Sequence, residues 1–364
     1  MDDALLSKED PEQSLVSYCV SPGEQFLLCL EVTTVRPVKV FVRVKNLKSN
    51  SKVGKYELPM DISSTVLEKE SFGIKLVQAS IAHKNKAEVK HYIIINTGDG
   101  LSFLTLEQLF SVGGEIPRKW QHSSFNDTIT SFHGYNVRGC NVQVVYATKL
   151  GAVVKFDFNI ASGAFKKLEE HKDVAADSIN TCSPCMPVDI DPLTTYIPEL
   201  VFSSFDNNLY SLENTLQKLP IFEPMTENKT LVSASGVIAK QYSTKSLRYY
   251  VANVLNSGCH LFKRSANDDW DKVQLFERHV SSEEFSPFAD CLVSCYGRTQ
   301  LRIATGSECG KIFYWRYDYR DELILESNEL EVGREGDTVY GLQLLGSNVY
   351  YMVNRDFIDC RTIN

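Results

Sequence analysis

The sequence predicts an all-β protein in which one unit of strands repeats along the chain. The first observation is a hairpin of two apolar strands that recurs about every fifty residues, with turns at Gly100, Gly151, Asn208, Gly258, Gly310 and Asp356. The second is that the strand before each turn is continuously apolar, whereas the strand after it alternates. Because one such unit cannot bury its own apolar face, successive units must pack against each other.

The first two strands of each unit are predicted to be the most buried. A first strand is visible at 15–20, 74–80, 128–132, 179–181, 231–237, 290–294 and 339–345. The second strands run into the turns, at 92–95, 142–147, 200–202, 249–252, 301–305 and 349–353. Continuous apolar runs are expected of strands that are covered on both faces.

The third and fourth strands of each unit are predicted to become more exposed. One third strand places Val154, Phe156 and Phe158 on one face, with Lys155 and Asp157 on the other. The first unit has the same pattern, with valines at 38, 40, 42 and 44. Several units add a polar fourth strand, at 165–168, 273–276 and 323–326. Four strands of increasing polarity describe the blade of a β-propeller.

We therefore predict a seven-bladed β-propeller with four-stranded antiparallel blades, forming a single domain over residues 1–364. The blades are expected at about 14–65, 73–122, 127–172, 177–222, 228–280, 286–330 and 337–364. The last segment has room for only three strands, so residues 4–7 are predicted to supply its outer strand and close the ring, which would hide an exposed strand edge. Helical signals are confined to a short turn at 106–110.

Two blades carry phrases that point to a family. Residues 17–28 read as a strand, a Ser-Pro-Gly turn and a second strand, and Thr305-Gly306-Ser307 precedes Gly310-Lys311-Ile312 at another turn. These phrases resemble the WD40-repeat β-propeller family, and Trp315 stands where the Trp-Asp pair of that family would begin. Arg316 replaces the Asp, no Gly-His pair occurs, and Trp270-Asp271 falls in a predicted outer strand. The resemblance is thus to a degenerate WD40-like propeller, and the hydrogen-bond network of regular members cannot be assigned to any blade.

Composition and charge limit the classes of function. The chain is 43% hydrophobic and 23% charged, with a formal net charge of −8, so it is expected to be globular and not to bind nucleic acid or membranes over a broad surface. Its start has no signal-peptide pattern, and no apolar run approaches the roughly 18 residues of a membrane span. Ten cysteines without an export signal indicate reduced thiols in the nucleus or cytoplasm.

Cysteine spacing gives the only metal candidate. Cys182 and Cys185 have the spacing of half a zinc site, and Cys291 with Cys295 is conceivable as the other half. On a strand, however, residues four apart lie about 13 Å from each other, so buried core cysteines are favoured. Catalytic and nucleotide-binding motifs are missing from the sequence. We therefore expect no enzyme activity, no cofactor and no metal.

One basic stretch is a candidate partner contact. Residues 45–55 contain Lys45, Lys48, Lys52 and Lys55 and no acidic residue. Such a patch on an acidic protein suits an acidic partner helix or a nucleic-acid backbone. The alternative is a flexible hairpin loop that its lysines keep soluble.

The function predicted from the sequence is a non-catalytic scaffold or adaptor subunit of an intracellular complex, which binds other protein subunits through blade loops and rim. A small-molecule substrate, membrane insertion and direct nucleic-acid binding are not expected. One alternative is a reader of peptide motifs at the channel mouth, for which Phe205 and Tyr296 are the aromatic candidates near turns. A propeller hydrolase with residues contributed by scattered loops is the third possibility. Because these functions follow from the fold class, the sequence alone does not choose a partner.

Overall fold

The structure of the chain is a computed structural model. It describes residues 4–49, 51–59, 71–83, 86–111, 120–123, 127–138, 140–187, 197–220, 230–241, 246–254, 257–276 and 290–363. Within these residues the chain forms strands, together with one short helix. By its internal contacts the chain divides into two compact units. The first comprises Met1–Val174, Asp191–Ile197 and Arg355–Phe357, and the second comprises Ala175–Ile190, Pro198–Asn354 and Ile358–Asn364.

The first unit begins with strand β1 (Leu6–Ser7) and contains three four-stranded antiparallel sheets. In each of these sheets, strands that follow one another in the chain are neighbours. The strands of the first sheet are β2 (Gln13–Val20), β3 (Phe26–Thr33), β4 (Val40–Asn46) and β5 (Ser51–Leu58). Those of the second are β6 (Phe72–His83), β7 (Lys86–Thr97), β8 (Gly100–Thr105) and β9 (Gln121–Ser123). The third contains β10 (Ile129–Arg138), β11 (Asn141–Thr148), β12 (Val153–Asn159) and β13 (Ala164–His171).

The core of the first unit follows the sequence pattern. In β12 the alternating residues Val154, Phe156 and Phe158 are buried, as predicted, and Phe158 stacks on Phe103 of β8 with ring centroids 4.3 Å apart. The helix α1 (Leu106–Phe110) coincides with the predicted helical turn. Thr105 caps it by accepting the Gln108 N–H, and the Gln108 side chain accepts the Thr105 N–H.

The second unit repeats the same sheet organisation. Strands β14 (Ile179–Pro187), β15 (Glu199–Ser204), β16 (Leu209–Leu212) and β17 (Leu216–Lys218) are antiparallel neighbours, as are β18 (Leu231–Gln241), β19 (Ser246–Val254), β20 (Gly258–Arg264) and β21 (Trp270–Phe276). A short parallel pairing of β14 with β18 joins these two sets into one eight-stranded sheet. The next sheet contains β22 (Cys291–Tyr296), β23 (Gln300–Gly306), β24 (Lys311–Asp318) and β25 (Leu323–Glu331).

The last sheet combines strands from both ends of the chain. Its order is β1, then β28 (Phe357–Thr362), β27 (Asn348–Val353) and β26 (Val339–Leu345). In this order the N-terminal segment is the outer strand beside the last three strands. That it closes a ring of seven blades stays a prediction. Near it, the Lys8 N–H donates to the Asp356 carbonyl, and the Lys8 ammonium forms an ion pair with the Asp356 carboxylate.

The cores of the sheets explain why the strands predicted from the sequence form. In the second unit one face of β18–β21 packs on one face of β22–β25, and both faces are rich in aliphatic and aromatic side chains. Trp315, at the WD40-like position, is buried there against Phe276, with ring centroids 5.0 Å apart. Gly306 is needed in β23 because a Cβ atom at this position would lie 2.2 Å from the Val339 carbonyl oxygen.

Candidate interaction surfaces

The lysine-rich stretch is mostly strand and not the loop expected from the sequence. β4 continues to Asn46 and β5 begins at Ser51, so the connection is a short turn. The Asn46 side chain closes this turn by accepting the N–H groups of Lys48 and Ser49, at 3.0 and 3.1 Å. An Asn side chain that binds the backbone two and three residues ahead is typical of a tight turn.

Lys45 and Lys55 bind groups within their own unit. Lys45 Nζ donates to the Leu5 carbonyl at 2.7 Å, and Lys55 Nζ lies 2.7 Å from Glu31 Oε2. Lys55 also lies over the Phe41 ring, 4.8 Å from its centroid. Lys48 is exposed, whereas the side chain of Lys52 lies outside the described residues. A partner contact at these four lysines stays a prediction, and Lys48 is the one described here with an exposed side chain.

Sequence reasoning missed the ionic cluster behind this hairpin. Glu31 lies on the apolar strand β3 and is fully buried, with Arg43 Nη1 at 2.6 Å from its Oε1 and Lys55 on its other oxygen. Arg43 Nη1 also donates to the Ser7 carbonyl at 2.7 Å, and Glu9 lies 3.5 Å from Arg43 Nη2. The signal in the sequence was a single carboxylate within an otherwise apolar strand. The cluster neutralises a buried charge and at the same time fixes the N-terminal segment.

A second buried cluster forms in the second unit. Glu199 of β15 is buried, with Arg248 Nη1 at 2.6 Å and Arg264 Nη1 at 3.9 Å. Glu213 also binds Arg248, through two hydrogen bonds of 3.2 and 2.7 Å. The Tyr250 hydroxyl donates to Glu199 at 3.1 Å, and burial together with the Glu199 charge raises the pKa of Tyr250. Two arginines thus lie beside one buried carboxylate, and Arg248 and Tyr250 supply its hydrogen bonds.

The cysteines of the zinc alternative lie on two strands and are buried or partly buried. Cys182 and Cys185 are on β14, and Cys291 and Cys295 on β22. Burial raises the pKa of the Cys185 thiol well above its usual value, which disfavours the thiolate that binds metals. Cys291 Sγ contacts the Ser233 carbonyl at 3.4 Å. Within the part of the chain that the structure describes, no group of three or more His, Cys, Asp or Glu side chains is arranged to hold a metal ion.

The outer strand β25 has an unexpected apolar surface. It was predicted to be a polar fourth strand, but Leu323, Ile324 and Leu325 are 56%, 37% and 41% exposed. β25 is the end strand of its sheet and pairs with β24 alone among the described strands. Exposed end strands are usually kept short or charged because they template pairing with other chains. The Leu-Ile-Leu run was present in the sequence, but its exposure was not apparent until the strand was placed at the edge.

The two aromatic candidates near turns differ in their surroundings. Phe205 is partly buried, and its N–H donates to the Ser178 carbonyl. Tyr296, the last residue of β22, is 39% exposed, and the Arg302 guanidinium lies over its ring, 3.7 Å from the centroid. Of the two, Tyr296 therefore has the arrangement of an aromatic ring and an arginine that suits an anionic group.

No protein-family model matches the chain, and a search of curated proteins found no match. Solved structures do match in fold. A catalytically inactive variant of virginiamycin B lyase from Staphylococcus aureus, determined with quinupristin, has a TM-score of 0.57 at 10% identity and covers 99% of this chain and 98% of its own. The WD40 repeats of RRP9 have a TM-score of 0.57 at 11% identity, covering 96% and 88%. BBS1N, in complex with ARL6DN, has a TM-score of 0.51 at 9% identity, covering 100% and 95%.

These similarities, at such low identity, show the fold alone. The chain has a β-propeller fold similar to that of WD40 proteins, as the fifty-residue period and the two motif-bearing blades predicted. The number of blades, their boundaries and the single-domain organisation stay predictions. In addition, none of the described helices is long and apolar enough to span a membrane.

Proposed function

We propose that the chain is a non-catalytic scaffold or adaptor subunit, which binds other proteins of an intracellular complex through its rim and loops. The fold supports this proposal by analogy, because propellers present several independent loops and edges to different partners. BBS1N, one protein of similar fold, was determined in complex with ARL6DN. We place the chain in the nucleus or cytoplasm, with partner proteins in place of a small-molecule substrate.

The observation that carries the proposal is the exposed apolar edge of β25. Leu323, Ile324 and Leu325 are three consecutive apolar residues on an end strand of nine residues. An end strand has free backbone donors and acceptors, and a partner segment can add to it as a further strand. A partner strand that covers this edge would remove apolar surface from water and would form backbone hydrogen bonds with β25.

Affinity purification tests the proposal directly. The tagged chain is recovered from native extract beside a Leu323→Asp/Leu325→Asp variant and a matched Leu150→Asp variant. Leu150 is 70% exposed in a turn, so it controls for a new surface charge. We expect stoichiometric partner proteins with the parent chain and with Leu150→Asp, and loss of at least one partner with the double variant. Recovery of all three chains without partners would contradict the proposal.

The peptide-reader alternative is supported by one observation, the Tyr296–Arg302 pair. It would combine with the scaffold role, since a scaffold can hold a partner by a short motif. The hydrolase alternative is supported only by the similar fold of virginiamycin B lyase. At 10% identity, a similar fold does not indicate a similar reaction. Failure of the partner purification together with turnover of a small substrate would favour it.

A further inference from the structure

Arg302 is a buried arginine that forms no ion pair with the described residues. It lies on β23, is 3% exposed, and its Nη1 donates to the Gly346 carbonyl. Its Nε and Nη2 atoms are buried and have no hydrogen-bond partner in the described part of the chain. No carboxylate of the described residues lies within 4.0 Å of the guanidinium. Nε and Nη2 form the edge with which an arginine binds both oxygens of a carboxylate.

The neighbours of Arg302 on the same face of the sheet add further donors. Arg316 of β24 is its direct cross-strand partner, and Tyr314 is two residues before Arg316. Arg316 Nε is also buried without a hydrogen-bond partner among the described residues, and the Tyr314 hydroxyl interacts with the Arg302 side chain. One acid is near, since Glu326 Oε2 lies 3.4 Å from Arg316 Nη2. Among the described residues, two cationic groups and a hydroxyl therefore face one region with a single carboxylate, Glu326, which is bound to Arg316.

The same chain shows what normally completes such a pair. Arg248 and Arg264 are likewise opposite each other on the second and third strands of their sheet, and the buried Glu199 contacts both. Arg43, the other buried arginine with a carboxylate, is paired with Glu31. An uncompensated buried charge is strongly unfavourable. The contrast indicates that the position beside Arg302 lacks a carboxylate that another molecule supplies.

Access to this position is provided by Tyr296. Its ring covers the Arg302 guanidinium and is itself 39% exposed, at the end of β22. The following residue, Gly297, has a φ of 62°, a conformation that glycine adopts without strain. Because Tyr296 is the last residue of its strand, a rotation of its side chain would uncover this face of the guanidinium.

We propose that Arg302, Arg316 and Tyr314 form a binding site for a carboxylate of an acidic partner peptide, with Tyr296 as its cover. This inference rests on the proposed function, since it names the chemistry of one partner. In the complex the carboxylate takes the position that Glu199 takes between Arg248 and Arg264. The two oxygens of the carboxylate accept hydrogen bonds from Arg302 Nε and Nη2, and the Tyr314 hydroxyl donates to the same carboxylate.

The experiment measures the melting temperature of the purified chain in potassium acetate against potassium chloride at equal ionic strength. Acetate is the smallest carboxylate probe, and a ligand that binds the native state raises the melting temperature. We expect a rise in acetate for the parent chain and for Arg298→Met, a matched control in the adjacent exposed turn. Arg302→Met should abolish the rise, Tyr314→Phe should reduce it, and Tyr296→Ala should shift it to lower acetate concentration.

A second measurement keeps the test valid if a variant is unstable. In chloride, Arg302→Met should melt no lower than the parent chain, because it removes an unpaired buried charge. Arg248→Met should melt several degrees lower, because it leaves Glu199 without its main partner. The peptide acetyl-Gly-Glu-Gly-amide should bind in calorimetry, while its Gln counterpart should not.

Three results would overturn the carboxylate site. They are an acetate effect equal in the parent chain and Arg302→Met, a response to inorganic phosphate without one to acetate, and a loss of stability in Arg302→Met as large as in Arg248→Met. All these measurements use the isolated chain. They can therefore fail while partners still co-purify from extract, which separates this inference from the scaffold proposal.

Discussion

Glu31 illustrates how a single residue connects sequence, stability and the interaction surface. Its carboxylate is fully buried in an apolar strand, where it forms ion pairs with the Arg43 guanidinium and the Lys55 ammonium group. The desolvation of such a group is costly, so the pairs around it are needed for folding even where they add little net stability. The lysines that the sequence suggested for partner binding are partly committed to this role, because Lys55 neutralises Glu31.

Replacing Glu31 tests this assignment. Glu31→Gln removes the negative charge and leaves Arg43 and Lys55 facing a neutral amide. We expect a loss of about 3–5 kcal/mol in the free energy of unfolding, the cost of breaking a buried ion pair. Denaturation by urea, followed by circular dichroism and intrinsic fluorescence, measures it.

The matched control is Glu57→Gln. Glu57 pairs with Lys39 at 3.0 Å, but both side chains are about half exposed, so its loss should cost less than about 1 kcal/mol. Equal effects of the two substitutions would show that the Glu31 cluster does not carry the structural role given to it.

The N-terminal segment is the element with the clearest structural role. Leu6 is buried, and the carbonyls of Leu5 and Ser7 accept hydrogen bonds from Lys45 and Arg43. Lys8 adds a backbone hydrogen bond and an ion pair to Asp356. A strand of only two residues is thus held mainly by side chains of another sheet and by the Asp356 turn.

Deletion of residues 1–10 should lower the melting temperature by several degrees, because it removes these contacts and exposes the edge of β28. Scanning calorimetry on the shortened chain measures the change. A shorter deletion, of residues 1–3, leaves the named contacts in place and is the control. An unchanged melting temperature for the longer deletion would show that the N-terminal segment does not stabilise the fold.

The positions of individual strands were largely predictable from the sequence, whereas contacts between residues far apart in the chain were not. Alternation in β12, the buried run at residues 92–96 of β7 and the helical turn of α1 all follow from local patterns of apolar residues. Lys45 and Lys55 were expected in a flexible loop, because nothing local reveals that Leu5 and Glu31 lie opposite them. The exposure of Leu323 and the lack of hydrogen-bond partners at Arg302 Nε and Nη2 among the described residues depend on which strands lie beside them. The sequence of one segment does not contain that information.

At the scale of the whole molecule, the β-propeller fold was predicted from the period of the repeats. A recurrence near fifty residues indicates sheets that pack in series, and solved propellers of similar fold support it at identities where sequence gives little guidance. Function is less constrained, because the same fold hosts enzymes and scaffolds. The scaffold proposal therefore depends on surfaces of this chain, above all the exposed edge of β25.

The size of the native assembly tests the scaffold proposal most directly. Native extract is separated by size-exclusion chromatography, and the chain is quantified in each fraction by mass spectrometry. We predict elution well above the 41.1 kDa of the isolated chain, together with co-eluting partner proteins, and a shift to smaller size for Leu323→Asp/Leu325→Asp. Elution of the parent chain as a monomer would contradict it.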